Sequence, residues 1–116
     1  IAFASKYHQG NLINIIDVNG YQLGGSTADI MPMGELASKY LHFGWTVTTV
    51  NGHNFYELEK ALKTAKSSSI YPACIIAKTT FAKGISFMEN KFEYHDIKKL
   101  PEEIYLNAKK ELEAKK

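Results

Sequence analysis

Three short apolar runs, separated by helical patterns, constrain this chain more than any other feature in it. They are Leu12–Val18, Thr46–Val50 and Ala73–Ala77. Runs of about four to eight apolar residues bounded by turn signals read as strands with little exposed surface. The first and third are almost unbroken, as strands buried on both faces of a parallel sheet are. The second is β-branched throughout, which suits a pleated surface. Leu36, Tyr40 and Phe43 recur at helical spacing over residues 35–43, and Gly44 closes that helix as a left-handed cap. Asn54 with Glu57 predicts a capping box for a helix over 55–66, its buried side formed by Phe55, Leu58, Leu62 and Ala65. Ser67, Ser68 and Ser69 break it, and Pro72 suits only the first position of the strand that follows. A long loop from Lys78 to Leu100 comes next, of a length more often functional than idle. Pro101 then starts a last helix, with Ile104, Ala108 and Leu112 on one stripe.

Strand–helix–strand–helix–strand predicts an α/β fold, a three-layer sandwich about a parallel sheet with right-handed crossovers. Three strands are few for a sheet covered on both faces, so the 116 residues read as one domain that is part of a larger unit. Ile1–His8 reads as the tail of a helix already under way, and the N-terminus is expected to be a cut edge.

Charge narrows the partners. All fourteen basic residues are Lys, so the bidentate phosphate and base-edge contacts that arginine makes are absent. The net charge of +2 comes from residues 98–116, six Lys against four Glu. Nucleic acid is therefore not expected as a partner. No apolar run approaches the roughly 18 to 20 residues that span a bilayer, and a membrane is not expected either. Cys74 stands alone in an apolar run, which excludes a disulfide framework and points to a reducing, cytoplasmic setting.

Ligands of open α/β sheets bind at the carboxyl ends of the strands, and the first run ends at Asp17-Val18-Asn19-Gly20. Asn19-Gly20 reads either as a plain turn or as part of a hard-metal site. In the second reading the Asn19 amide oxygen and a carbonyl two residues later occupy two corners of an Mg²⁺ octahedron. Such a site would normally add a carboxylate, and Asp17 lies on the wrong side of the turn. Gly24-Gly25-Ser26 is not expected to open a helix promptly and matches no phosphate-cradling pattern. Of four histidines, His8 and His42 sit near helix ends, while His53 is either structural or site-lining. His95 ends the long loop, as a bland loop residue or a catalytic one. No pair has metal-ligand spacing.

Several blocks occur in a recognisable order. They are Asn11-Leu12-Ile13, Ile16 to Leu23, Met31-Pro32, Phe43-Gly44-Trp45, Val50-Asn51-Gly52-His53, Lys83 to Asn90, and His95. Together they resemble the transketolase family, in the later part of its thiamine-diphosphate-binding N-terminal region. The resemblance covers essentially the whole chain. It implies that Asn19 ligates Mg²⁺ with the backbone carbonyl of Tyr21, that Leu23 and Phe81 line the cofactor, and that His95 lies near the diphosphate and the donor sugar. It implies transfer of a two-carbon ketol unit between sugar phosphates in the pentose phosphate pathway. A C-terminal subunit or domain would carry the activating glutamate, in a homodimer or heterotetramer. The Gly-Asp-Gly that opens the family's cofactor motif is absent here, and with it the carboxylate ligand. Gly24 stands where the family usually has Asp, and Asp96 where it usually has Gly. The isolated chain is thus expected to be inactive. The alternatives are a truncated, non-catalytic α/β module, or part of another thiamine enzyme such as a deoxyxylulose-phosphate synthase or a 2-oxoacid dehydrogenase component.

Overall fold

The computed structural model describes residues 1–67 and 70–115. In chain order the elements are α1 (Ala2–Lys6), β1 (Ile13–Val18), β2 (Tyr21–Gln22), β3 (Gly25–Ser26), α2 (Thr27–Ile30), α3 (Leu36–His42), β4 (Thr46–Asn51), α4 (Phe55–Ser67), β5 (Ala73–Lys78) and α5 (Glu102–Glu113), with a 3-10 turn at Phe92–Tyr94. They fall into two compact units, Ile1–Asn19 with Met33–Thr79, and Gly20–Pro32 with Thr80 onward. No helix among the described residues is long and apolar enough to cross a membrane.

The first unit is built on a parallel sheet of order β1-β5-β4. Ile13 and Thr46 both pair with Ala73, and the register runs on to Val18 and Asn51, both opposite Lys78. Alternation along β5 feeds two cores. Ala73, Ile75 and Ala77 pack with Val50 and with Ala61 and Ala65 of α4. Cys74 and Ile76 pack on the other face with Ala4, Tyr40 and Trp45. Helices therefore cover both faces, the expected three layers. Tyr40 meets the Trp45 ring edge-on at 5.3 Å, and its hydroxyl accepts from Asn14 Nδ2 at 2.7 Å. The Trp45 indole N–H donates to the Ile1 carbonyl at 3.1 Å.

Three expectations about burial are corrected. The strand buried on both faces is β5, flanked on each side, and not β1. In β1, an edge strand, Ile15 is 53% exposed. Phe55 is also no part of the buried side of α4. At the first helical position it points away from the sheet, 87% exposed, and the face is made by Leu58, Ala61, Leu62 and Ala65. Phe43 likewise sits just past α3 and is exposed. Gly44 does cap α3 in the left-handed region, at φ +79°. At α4 the Asn54 side chain caps as expected, but the Glu57 half of the box differs, because the Asn54 N–H donates to the Asn51 carbonyl at 3.0 Å and not to Glu57. Asn54 Oδ1 accepts from the Tyr56 and Glu57 amides, while the Glu57 carboxylate takes the Asn54 side-chain amide and the Asn51 N–H. Ser67 ends α4, and the other two breaker positions, Ser68 and Ser69, lie outside the described residues.

Cys74 is 1% exposed, and burial pushes its thiol up to about 11. A thiol that is neither accessible nor ionised is inert. Ellman's reagent is expected to leave Cys74 untouched in native protein and to titrate one thiol after denaturation. Prompt native reaction would contradict the burial.

In the second unit, β2 and β3 form a two-rung antiparallel hairpin. Ser26 then caps the single turn of α2 by accepting from the Asp29 N–H at 3.2 Å. Residues 20–34, rich in Gly, Ser, Thr and Asp, read from sequence as a loop; they hold instead a hairpin and a helical turn, and Gly24-Gly25-Ser26 leads directly into that turn. The start of α5 follows Pro101 as expected, and Ala108 is its buried residue.

Candidate functional site

In the first unit the carboxyl ends of the three strands are drawn tightly together. The Thr79 N–H donates to the Val18 carbonyl at 3.1 Å, and the Gly52 N–H to the Lys78 carbonyl at 2.7 Å. A Cβ on Gly52 would overlap the Thr79 methyl and stand 3.2 Å from both the Ala77 Cβ and the Lys78 carbonyl. A side chain at position 52 would force the Thr79 side chain to shift and crowd the end of β5. The Thr79 hydroxyl donates to the Asp17 carboxylate, so Asp17 is engaged within the sheet edge. Asn19, half-buried, follows β1 directly and ends the first segment of this unit. Asn51 Oδ1 accepts from the His53 N–H at 3.0 Å, which makes His53 part of a built strand-to-helix turn, with its side chain exposed.

A pocket of about 690 Å³ opens elsewhere in this unit, beside α3, lined by Ile16, Leu36, Tyr40 and Phe43 among others. Its walls are almost wholly apolar, and it offers no convergent polar groups of the kind that orient a ligand.

The second unit gathers Tyr21, Phe81, Phe92 and His95 into a ring of aromatics. Tyr21 meets Phe81 edge-on at 5.8 Å and stacks on Phe92 at 5.9 Å. His95 stacks on Phe92 at 5.6 Å and leans on Phe81 at 5.3 Å. Its Nδ1 is buried with no hydrogen-bond partner among the described residues, as is Gln22 Nε2. Buried polar nitrogens in that condition are uncommon and call for a reason. Leu23 lies in the hairpin turn, 80% exposed. Gly20 leaves β1 at φ +84°, with nothing within 4 Å of where a Cβ would be. Glycine is used there for its backbone freedom, at a bend directly after Asn19.

Two carboxylates brace the segment between Phe81 and His95. Glu111 on α5 accepts from the Ser86 N–H at 2.8 and 3.0 Å, and Lys115 bridges it to the Gly84 carbonyl. Glu89 accepts from the Gly84 N–H at 3.1 Å beside the Lys83 ammonium. The Lys115 and Ser86 donors hold the Glu111 carboxyl below its ordinary 4.5, and the Gly84 N–H and Lys83 do the same for Glu89. A depressed folded-state value means that the bracing is complete above the unfolded value and fades as pH falls through the folded one. The Ser86 and Gly84 amide proton shifts are therefore expected to titrate with midpoints below 4.5, and Glu111→Gln to abolish the Ser86 transition. Midpoints at or above the ordinary value would contradict the bracing.

Comparison with known proteins places the chain. The family model described as "Transketolase, thiamine diphosphate binding domain" matches residues 1–113. The chain belongs to the transketolase family. It is 38% identical over 111 residues to a 6-deoxy-6-sulfo-D-fructose transketolase subunit of Clostridium sp. (strain MSTE9), a match spanning 96% of this chain and 40% of that one. With the human transketolase it shares 36% over 121 residues, all of this chain but 19% of the relative. The transketolase of Campylobacter jejuni superposes with a TM-score of 0.85 at 32% identity, over 97% of this chain and 17% of that one. The chain thus spans less than half the length of these transketolases.

Its residues fit a diphosphate-bound magnesium ion in donor chemistry and fall short of holding one alone. An amide oxygen and a backbone carbonyl are hard donors, and Mg²⁺ commonly takes only one or two protein groups alongside phosphate and water. Asp17 is already engaged by Thr79. No cluster of three His, Cys, Asp or Glu side chains suited to a metal exists among the described residues. The expected site residues divide between the units: Asn19 in the first, and Tyr21, Leu23, Phe81 and His95 in the second. Within the second unit Tyr21, Phe81 and His95 are brought together, while Leu23 is not packed among them. No role for Phe92 or for the Tyr21 side chain is legible in the sequence. Their only sequence signal was aromatic character, because 69 residues separate Tyr21 from its partner Asn90.

Proposed function

We propose that this chain supplies part of the thiamine diphosphate site of a transketolase that moves a two-carbon ketol unit between sugar phosphates. The observation that carries the reading is His95, with an unpartnered buried Nδ1 among Phe81 and Phe92, in a chain matched by the family model over nearly its full length. In this reading the Asn19 amide oxygen and the Tyr21 carbonyl hold Mg²⁺. Phe81 and, from the exposed hairpin turn, Leu23 line the cofactor, and His95 hydrogen-bonds the diphosphate or the donor sugar. When bound, the cofactor supplies the electron sink for the ketol unit. A partner subunit or domain brings the activating glutamate, in a homodimer or heterotetramer. Relatives named as transketolase subunits support an assembly of this kind, among them one for apulose-4-phosphate from Phocaeicola vulgatus, 30% identical over 91 residues. A cytoplasmic setting belongs to the same reading, resting on the single buried thiol.

The test is ketol transfer by the complete assembly with thiamine diphosphate and Mg²⁺. The donors would be ketose phosphates, apulose-4-phosphate and 6-deoxy-6-sulfo-D-fructose. The expected result is a carbonyl product two carbons shorter than the donor (an aldose from a straight-chain ketose, a ketone from the branched apulose-4-phosphate), with the acceptor lengthened by two, and slower turnover after His95→Ala. A cofactor-loaded assembly that shortens none of these donors would overturn the reading.

A further inference from the structure

We infer that the Tyr21 side chain is a positioning residue for His95, a role separate from that of the Tyr21 backbone carbonyl. The inference rests on the proposed role of His95. Its basis lies wholly within the second unit. The Tyr21 hydroxyl donates to the Asn90 carbonyl at 2.5 Å. Asn90 is a pivot, in the left-handed region at φ +55°, with its N–H donating to the Phe81 carbonyl at 3.2 Å. The hydroxyl thus grips the backbone where the loop begun at Phe81 closes on itself. Two residues on, Phe92 starts the 3-10 turn whose carbonyl accepts from the His95 N–H at 2.8 Å.

The same tyrosine also acts through its ring, which lies nearly parallel to Phe92 at 29°, while Phe92 lies at 18° to His95. His95 has no hydrogen bond at Nδ1 to fix its plane. Ring orientation is instead set by the Phe92 and Phe81 faces, and Tyr21 touches both of these rings. A histidine ring with no hydrogen bond at Nδ1 turns more readily when its stack shifts. Removing the hydroxyl frees the Asn90 carbonyl and with it the stretch that carries Phe92. The backbone carbonyl of Tyr21 survives any substitution of its side chain, so metal binding and His95 positioning are separable.

Two measurements on the complete enzyme test this. Without cofactor, diethylpyrocarbonate modification of each histidine is followed by peptide mass. Tyr21→Phe is expected to raise the His95 rate several-fold while His42 and His53 keep theirs. With cofactor, Tyr21→Phe is expected to lower kcat/KM for the donor about tenfold, with Mg²⁺ affinity unchanged. That loss should vanish when Tyr21→Phe is made in the His95→Ala enzyme, since residues acting through one another are not additive. Should Tyr21→Phe not fold, Phe92→Leu removes the stack, leaves the hydroxyl bridge, and is expected to produce the same pattern. An unchanged His95 modification rate, or a Tyr21→Phe loss that persists at full size beside His95→Ala, overturns the proposal. Faster His95 modification in Tyr21→Phe, together with unaltered kinetics in His95→Ala, instead removes His95 from the proposed function and leaves the positioning contact standing.

Discussion

Ile75→Ala is expected to destabilise the protein by about 3 to 5 kcal/mol, the upper part of the range for deleting a buried aliphatic side chain. Ile75 is 1% exposed in the middle of β5 and is the largest wholly buried side chain of the sheet. Four of its neighbours in the core are Ala61, Ala65, Ala73 and Ala77. Alanine has no rotamer with which to fill a void, so the hole left by three missing carbons stays open. Collapse would require α4 to move toward the sheet, which the Asn54–Glu57–Asn51 bonds at its start oppose. Against a typical total stability of about 5 to 15 kcal/mol, that loss moves a denaturation midpoint far. Phe55→Ala is the control. Its ring is larger but 87% exposed, and the change should stay within about 0.5 kcal/mol. Urea titration with unchanged m values would measure both. An Ile75→Ala midpoint close to the parent would mean that the layers repack more freely than this core allows.

The other large effect concerns cofactor binding and follows from the proposed function. Asn19→Ala in the complete assembly is expected to weaken Mg²⁺-dependent thiamine diphosphate binding by about 100-fold or more, since even outer-shell changes at metal sites cost about 10- to 100-fold. The alanine removes a hard oxygen donor from a site to which this chain contributes only two. Asn19→Asp keeps an oxygen there and should bind within about tenfold of the parent. Asp17→Ala discriminates further. The Asp17 carboxylate accepts from Thr79, so its loss should lower stability more than cofactor affinity. Titration calorimetry with thiamine diphosphate at fixed Mg²⁺ reads all three. Parent-like binding by Asn19→Ala would remove Asn19 from the metal site.

Much of this molecule was legible in local sequence. Period and punctuation placed β4, α4, β5 and α5 within a residue or two, because capping by Asn54, the left-handed break at Gly44 and the proline before α5 act over a few bonds. The apolar runs predicted a parallel sheet under two helical layers, and the blocks from Asn11 to His95 carried the family. What stayed hidden was whatever depends on neighbours distant in the chain. Leu12–Val18 and Ala73–Ala77 are alike in composition, and nothing in either run says which is central. That is decided by the order β1-β5-β4, which puts β5 in the centre and β1 at the edge of the sheet, where Ile15 is exposed. The grip of Tyr21 on Asn90 and that of Thr79 on Asp17 join residues 69 and 62 positions apart. No local pattern encodes such pairs, because hydrogen bonds and ring stacks depend on separation in space, and only the folded backbone sets that.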